Sequence, residues 1–107
     1  MRLRHQLYDL AVASGKVRMP RVVFTPAMQR HVKCPPVDVA GTTVREVLDA
    51  AYAIHPSARS YVLDDQSHVR KHVSIFCDGR MVRDRTRLAE AVSDDSQILI
   101  VPALSGG

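Results

Sequence analysis

Two spacings of hydrophobic and polar residues alternate along the chain, and the switches between them mark out its elements. Leu3, Leu7, Leu10 and Ala11 recur at roughly helical intervals until Ser14-Gly15-Lys16 breaks the run. Residues 1–16 are therefore read as an arm, either a short helix or disordered, since chain ends lack neighbours that would order them. Val17 to Thr25 is β-branched and aromatic around Val22, Val23 and Phe24, which predicts a strand. Pro26-Ala27-Met28 interrupts it. His31-Val32-Lys33-Cys34 and Val37-Asp38-Val39 then alternate apolar and polar residues, with Pro35-Pro36 between them unable to donate to a ladder. The two stretches predict an irregular first antiparallel hairpin.

Thr43-Val44-Arg45-Glu46 has the form of a capping box, in which the Thr hydroxyl takes an orphan amide while the Glu reaches back. Val44, Val47, Leu48 and Ala51 follow at helical spacing and define one apolar face. Pro56 ends this helix near His55, because the residue before a proline is pushed out of helical conformation. Tyr61-Val62-Leu63 predicts a short extended piece, and Asp64-Asp65-Gln66-Ser67 a turn. Val73 to Cys77 reads as a strand, Asp78-Gly79 as a tight hairpin turn, and Arg80-Met81-Val82 as the returning strand. Leu88 to Val92 offers one helical turn, broken by Ser93-Asp94-Asp95-Ser96. Ile98-Leu99-Ile100-Val101 is apolar on both faces and belongs in the middle of a sheet. The order is hairpin, helix, hairpin, strand. It predicts an α+β fold of the β-grasp, ubiquitin-like kind: a mixed sheet of four to five strands covered by one main helix. The domain is placed at residues 17–102, followed by a flexible tail, residues 103–107. Five residues beyond Pro102 reach at most about 17 Å, enough to enter a partner's cleft.

Composition narrows the setting. The chain has 107 residues, 46% hydrophobic and 24% charged, which suits one globular domain rather than a disordered or fibrous chain. No apolar run is long enough to span a membrane, and the first residues lack a secretory signal's apolar core. With only 2 cysteines a disulfide scaffold is excluded and a cytoplasmic location is expected. The formal charge is +4, from 15 Lys and Arg against 11 Asp and Glu. That excess permits nucleic-acid binding, but aromatics at 5% with no Trp make a poor stacking platform. Neither nucleic acid nor a membrane is expected as partner.

The second half of the chain resembles a known family. The segment Arg70-Lys71-His72-Val73-Ser74-Ile75-Phe76-Cys77-Asp78-Gly79, then Leu88, then Ile98 through Pro102-Ala103-Leu104-Ser105-Gly106-Gly107 is similar to the MoaD/ThiS-type sulfur carriers, prokaryotic relatives of ubiquitin. In that family the strand before the second hairpin commonly reads Val-Asn-Ile-hydrophobic-Val-Asn-Gly, and the terminus Pro-Ala-Val-Ala-Gly-Gly. Ser74, Cys77 and the Ser93-Asp94-Asp95-Ser96 turn depart from the pattern, none of them at the reacting end. The likeness extends over roughly residues 21–107 and looks closest to carriers for cysteine synthesis.

The resemblance implies a chemistry. A ubiquitin-activating-like adenylyltransferase would use ATP and Mg to form an acyl-adenylate at Gly107, and a sulfur donor would displace AMP to leave a thiocarboxylate. Ala103, Leu104, Ser105 and Gly106 would thread the partner's channel, and glycine at the end leaves the carbonyl uncrowded. A sulfur-accepting synthase and a JAMM-type metalloprotease are further implied partners. The chain itself would be a protein co-substrate with no catalytic group, no bound cofactor and no metal. Rival readings are a molybdopterin synthase small subunit, and a ubiquitin-like binding module that is never activated.

The remaining reactive side chains have plainer roles. Cys77 alternates with Val73 and Ile75 and is expected to face the core, whereas Cys34, beside Pro35-Pro36, reads as exposed. His68 and His72 have metal-ligand spacing only on a helix, and this segment reads as extended. Asp64 and Asp65 are turn residues before they are paired carboxylates. Arg80, Arg83, Arg85 and Arg87 form the densest basic group and could dock on an acidic partner surface.

Overall fold

A computed structural model of the chain describes residues 19–102. The readings of the arm, residues 1–16, and of the tail, residues 103–107, lie outside the described residues. Strand β1 (Arg21–Phe24) is followed by a one-turn helix α1 (Pro26–Gln29) and a two-residue strand β2 (Val37–Asp38). Two helices, α2 (Val44–Ile54) and α3 (Pro56–Val62), lead to β3 (Val73–Cys77), β4 (Arg80–Met81) and β5 (Gln97–Pro102). No helix among the described residues is long and apolar enough to cross a membrane.

The strands form one five-stranded sheet in the order β2-β1-β5-β3-β4. Neighbours are antiparallel except β1 and β5, which run parallel. This is the β-grasp arrangement, with the two-faced last strand at the centre. Val22, Phe24, Val73, Ile75, Ile98 and Ile100 alternate onto one sheet face and are buried. Against them α2 lays Val44, Val47, Leu48, Ala51 and Tyr52, in the same continuous core. The Tyr52 hydroxyl sits in that core without a hydrogen-bond partner among the described residues.

The start of α2 follows from its capping residues. The Thr43 hydroxyl accepts the Glu46 amide at 3.2 Å. The Glu46 carboxylate reaches one residue past the cap, accepting the Thr42 amide and hydroxyl at 2.8 Å each. Those bonds, led by the Thr42 amide, hold the Glu46 carboxyl below its ordinary range. The loop before it passes so close to the helix that a Cβ on Gly41 would stand 2.7 Å from Val47 Cγ2 and 2.9 Å from Val47 N.

Four expectations are corrected. The segment His31 to Cys34 is not a strand: Pro26 opens α1, the amides of His31 and Val32 both turn back to the Met28 carbonyl, and only Val37–Asp38 pairs with β1. Cys34 is fully buried rather than exposed, its thiol donating to the Val32 carbonyl at 3.2 Å, and burial pushes that thiol up. Tyr61 and Val62 lie in α3 rather than in a strand. Pro56 ends α2 as expected but also pre-sets a second helix, whose Ala58 and Val62, one turn apart, face the core. Leu63 alone is extended, bridging to Val69.

The fourth correction concerns Leu88 to Val92, which forms no helical turn, only an antiparallel bridge from Ala91 to Thr43. The Leu88 and Glu90 carbonyls each accept a first-turn amide of α2, from Arg45 and Val44, at 2.9 Å. Helix starts leave such amides without intrahelical partners, so the segment is claimed by α2 before it can coil on itself. Leu88 adopts a positive φ of 53° to bury its side chain there.

Candidate functional site

The tail departs from the centre of the sheet. Its root, Pro102, is buried and paired with Val73, the first residue of β3, while the Thr25 amide donates to the Ile100 carbonyl from the other side. Ala103, Leu104, Ser105, Gly106 and Gly107 lie outside the described residues, but the strand that carries them is held on both edges. The opposite end of β5 is fixed as firmly. Asp78 and Gly79 take the positive φ values of 52° and 83° that a tight Asp-Gly turn requires. The Asp78 carboxylate accepts the Gln97 amide at 2.8 Å and the Ser96 hydroxyl at 2.9 Å, bonds that lower its affinity for a proton.

The arginine group is divided by the fold. Arg85 is half-buried and its guanidinium donates to the carbonyls of Arg70 and Val73, bracing the start of β3. Arg80, Arg83 and Arg87 are exposed. Arg80 and Arg83 line an open groove with Met81, Asp84 and Glu90, and Arg80 lies 3.7 Å from Glu90. Carboxylates thus temper this patch more than the sequence suggests.

Other candidates resolve into structural parts. Asp64 accepts the amides of Gln66 and His68 at 2.8 and 3.0 Å, as a turn residue does, and those bonds, led by His68, depress its carboxyl. Cys77 is buried on the core face, where burial and then the neighbouring Asp78 push its thiol up. No group of three or more His, Cys, Asp or Glu among the described residues could hold a metal ion.

One feature was missed. Val23, Leu99, Phe76 and Met81 pair across four adjacent strands, on the sheet face away from α2. The first three are half-buried and Met81 is 52% exposed. The signal lay in the strands themselves, each of which keeps an apolar residue at an outward position.

A model of the ThiS family matches residues 30–107, most of the chain and the whole of its Gly-Gly end. The chain belongs to the ThiS family. The MoaD/ThiS-type resemblance of its second half is thereby established, and with it the general character of a ubiquitin-like sulfur carrier. Among solved structures, SAMP1 from Haloferax volcanii is 26% identical at a TM-score of 0.68, covering 82% of this chain and 98% of its own. A chain of the Amycolatopsis orientalis BexX/CysO complex is 22% identical at 0.68, covering 82% and 99%. CysO from Mycobacterium tuberculosis is 23% identical at 0.67, covering 79% and 99%. The latter two bear on the fold alone. No curated protein matches the sequence. In this ThiS-family chain the Gly-Gly end follows the central strand of the five-stranded sheet in sequence.

Proposed function

We propose that this chain carries sulfur as a thiocarboxylate on Gly107. The family match running through Gly106 and Gly107, which follow in sequence a strand fixed at the sheet centre, carries the reading. The terminal carboxylate is anionic at neutral pH and a poor electrophile. Activation turns it into a mixed anhydride: a carboxylate oxygen attacks the α-phosphate of ATP and pyrophosphate leaves. A sulfide-level nucleophile then attacks the carbonyl carbon, AMP departs with the bonding electrons, and a thiocarboxylate remains. ATP and Mg belong to the activating partner. The chain supplies the reacting group and no catalytic residue.

Within the family we assign the branch that feeds sulfur to cysteine synthesis, on the likeness of Arg70 to Phe76 and of Pro102-Ala103. A sulfur-accepting synthase and a JAMM-type protease that trims its product complete that scheme. With the cognate activating enzyme and ATP, release of AMP is expected to require this chain. AMP release at the same rate without it would remove the chain from the reaction.

Of this arginine group, Arg80, Arg83 and Arg87 are exposed toward an acidic partner surface, since Arg85 is committed to backbone carbonyls. Reversing Arg80 and Arg83 together to Glu is expected to slow association with the sulfur-accepting synthase at low salt, with the deficit shrinking at high salt. The melting temperature should stay within a degree or so, because exposed charges contribute little to stability. Unchanged association at low salt would return the patch to an ordinary solvated face.

A further inference from the structure

The end of the molecule from which the tail departs carries a surface not yet assigned. His31, in the turn after α1, stacks on Tyr61 of α3 with ring centroids 5.9 Å apart and planes 19° from parallel. Tyr61 in turn meets His72 edge-on at 6.0 Å and 77°. His72 immediately precedes Val73, the ladder partner of Pro102, so the row of three rings ends beside the tail root. Tyr61 is half-buried and braces the two exposed histidines.

Arg30, Lys33 and Lys71 flank these rings in sequence and are exposed, and none of them makes an ion pair among the described residues. The carboxylate next along from α3, Asp64, is occupied with the amides of Gln66 and His68. Acidic side chains gather instead at the other end of the central strands, where Asp78 closes β3 and Asp94-Asp95 leads into β5. Arg80 shares that end and has a carboxylate beside it, Glu90 at 3.7 Å, whereas Arg30, Lys33 and Lys71 have no such pair among the described residues.

Geometry decides which end a partner meets. Five residues of tail span at most about 17 Å, and a stable protein interface covers about 800 Å² on each side. A partner that draws Gly107 into a cleft must therefore lie against the surface surrounding Pro102. Arg80 is farther away, beside Cys77 at the opposite end of β3, roughly 13 Å along the strand from Val73. Cations without an ion pair among the described residues, at a forced contact, favour an acidic counterpart, since like charges placed together cost several kcal/mol.

We infer that His31, Tyr61 and His72, together with Lys33 and Lys71, form a docking collar around the tail root, and that it seats on an acidic rim of the activating enzyme's cleft. This rests on the sulfur-carrier reading above. The experiment uses the full chain, its cognate activating enzyme, ATP and sulfide. Lys33→Glu with Lys71→Glu is expected to slow association about tenfold at low salt and much less at high salt. Asp94→Lys, at the opposite end, should associate at the wild-type rate. Lys33→Gln with Lys71→Gln should show a smaller loss in the same direction, which keeps the test open if the double reversal folds poorly. Wild-type association by both lysine variants at low salt, or faster association by the reversal, would overturn the collar. Failure of the wild-type chain to gain sulfur at all would instead overturn the carrier reading beneath it.

Discussion

Deleting Gly107 is expected to abolish sulfur loading while leaving the melting temperature unchanged. The separation follows from where the ladder ends. β5 pairs through Pro102, and Phe24, Ile75, Ile98 and Ile100 close the core upstream of it. Losing the last residue removes the carboxylate from the position to which an activating site holds it. Misplacing a reacting group by as little as an ångström can cost on the order of 100-fold in rate, and shortening the tail by a residue moves it by about 3.5 Å. Gly107→Ala should fall between deletion and wild type, since its Cβ crowds the carbonyl without shortening the reach. Rates of AMP release and thermal melts on the same samples check both halves. A melting temperature several degrees lower for either variant would show that the tail is part of the packed structure.

Ile100→Ala should do the reverse, unfolding the domain before it touches the chemistry. Ile100 is fully buried in the central strand, paired in register with Phe24 on one side and Ile75 on the other. Truncating an isoleucine in such a position costs about 2–5 kcal/mol, because the cavity left behind collapses only in part. At about 4–8 °C per kcal/mol for a domain of this size, the melting temperature should fall by at least about 8 °C. Leu99→Ala, one residue away on the open face, should cost clearly less, because its side chain is only half-buried. Denaturant unfolding of the two variants side by side gives the comparison. Equal losses would mean that the outward face is covered as completely as the core.

The elements set by strong local chemistry were legible in the sequence. Thr43 and Glu46 announced the helix start, Asp78-Gly79 the hairpin, and the double-faced run Ile98 to Val101 the central strand. The misreadings came from segments whose preference is settled by contacts distant in sequence. Tyr61-Val62 favours a strand by composition, yet Pro56 and the burial of Ala58 and Val62 make it helical. Leu88 to Val92 has the composition of a helical turn, but its carbonyls at Leu88 and Glu90 are taken by the first amides of α2. Cys34 lies between polar residues and Pro35-Pro36, and its burial appears only in the folded chain. The family of the Gly-Gly end was legible through its resemblance to the MoaD/ThiS-type carriers, which the family match bears out. The ring row at its root was not, because His31, Tyr61 and His72 lie on three separate segments that meet only in the folded chain.

The central claim is that Gly107 accepts sulfur. Intact-mass spectrometry of the chain, after incubation with its activating enzyme, ATP and sulfide, should show a mass gain equal to the exchange of one oxygen for one sulfur. Fragmentation should place that gain on Gly107. An unmodified mass under conditions where the same enzyme loads another carrier, or sulfur found on Cys34 or Cys77 instead, would contradict the account.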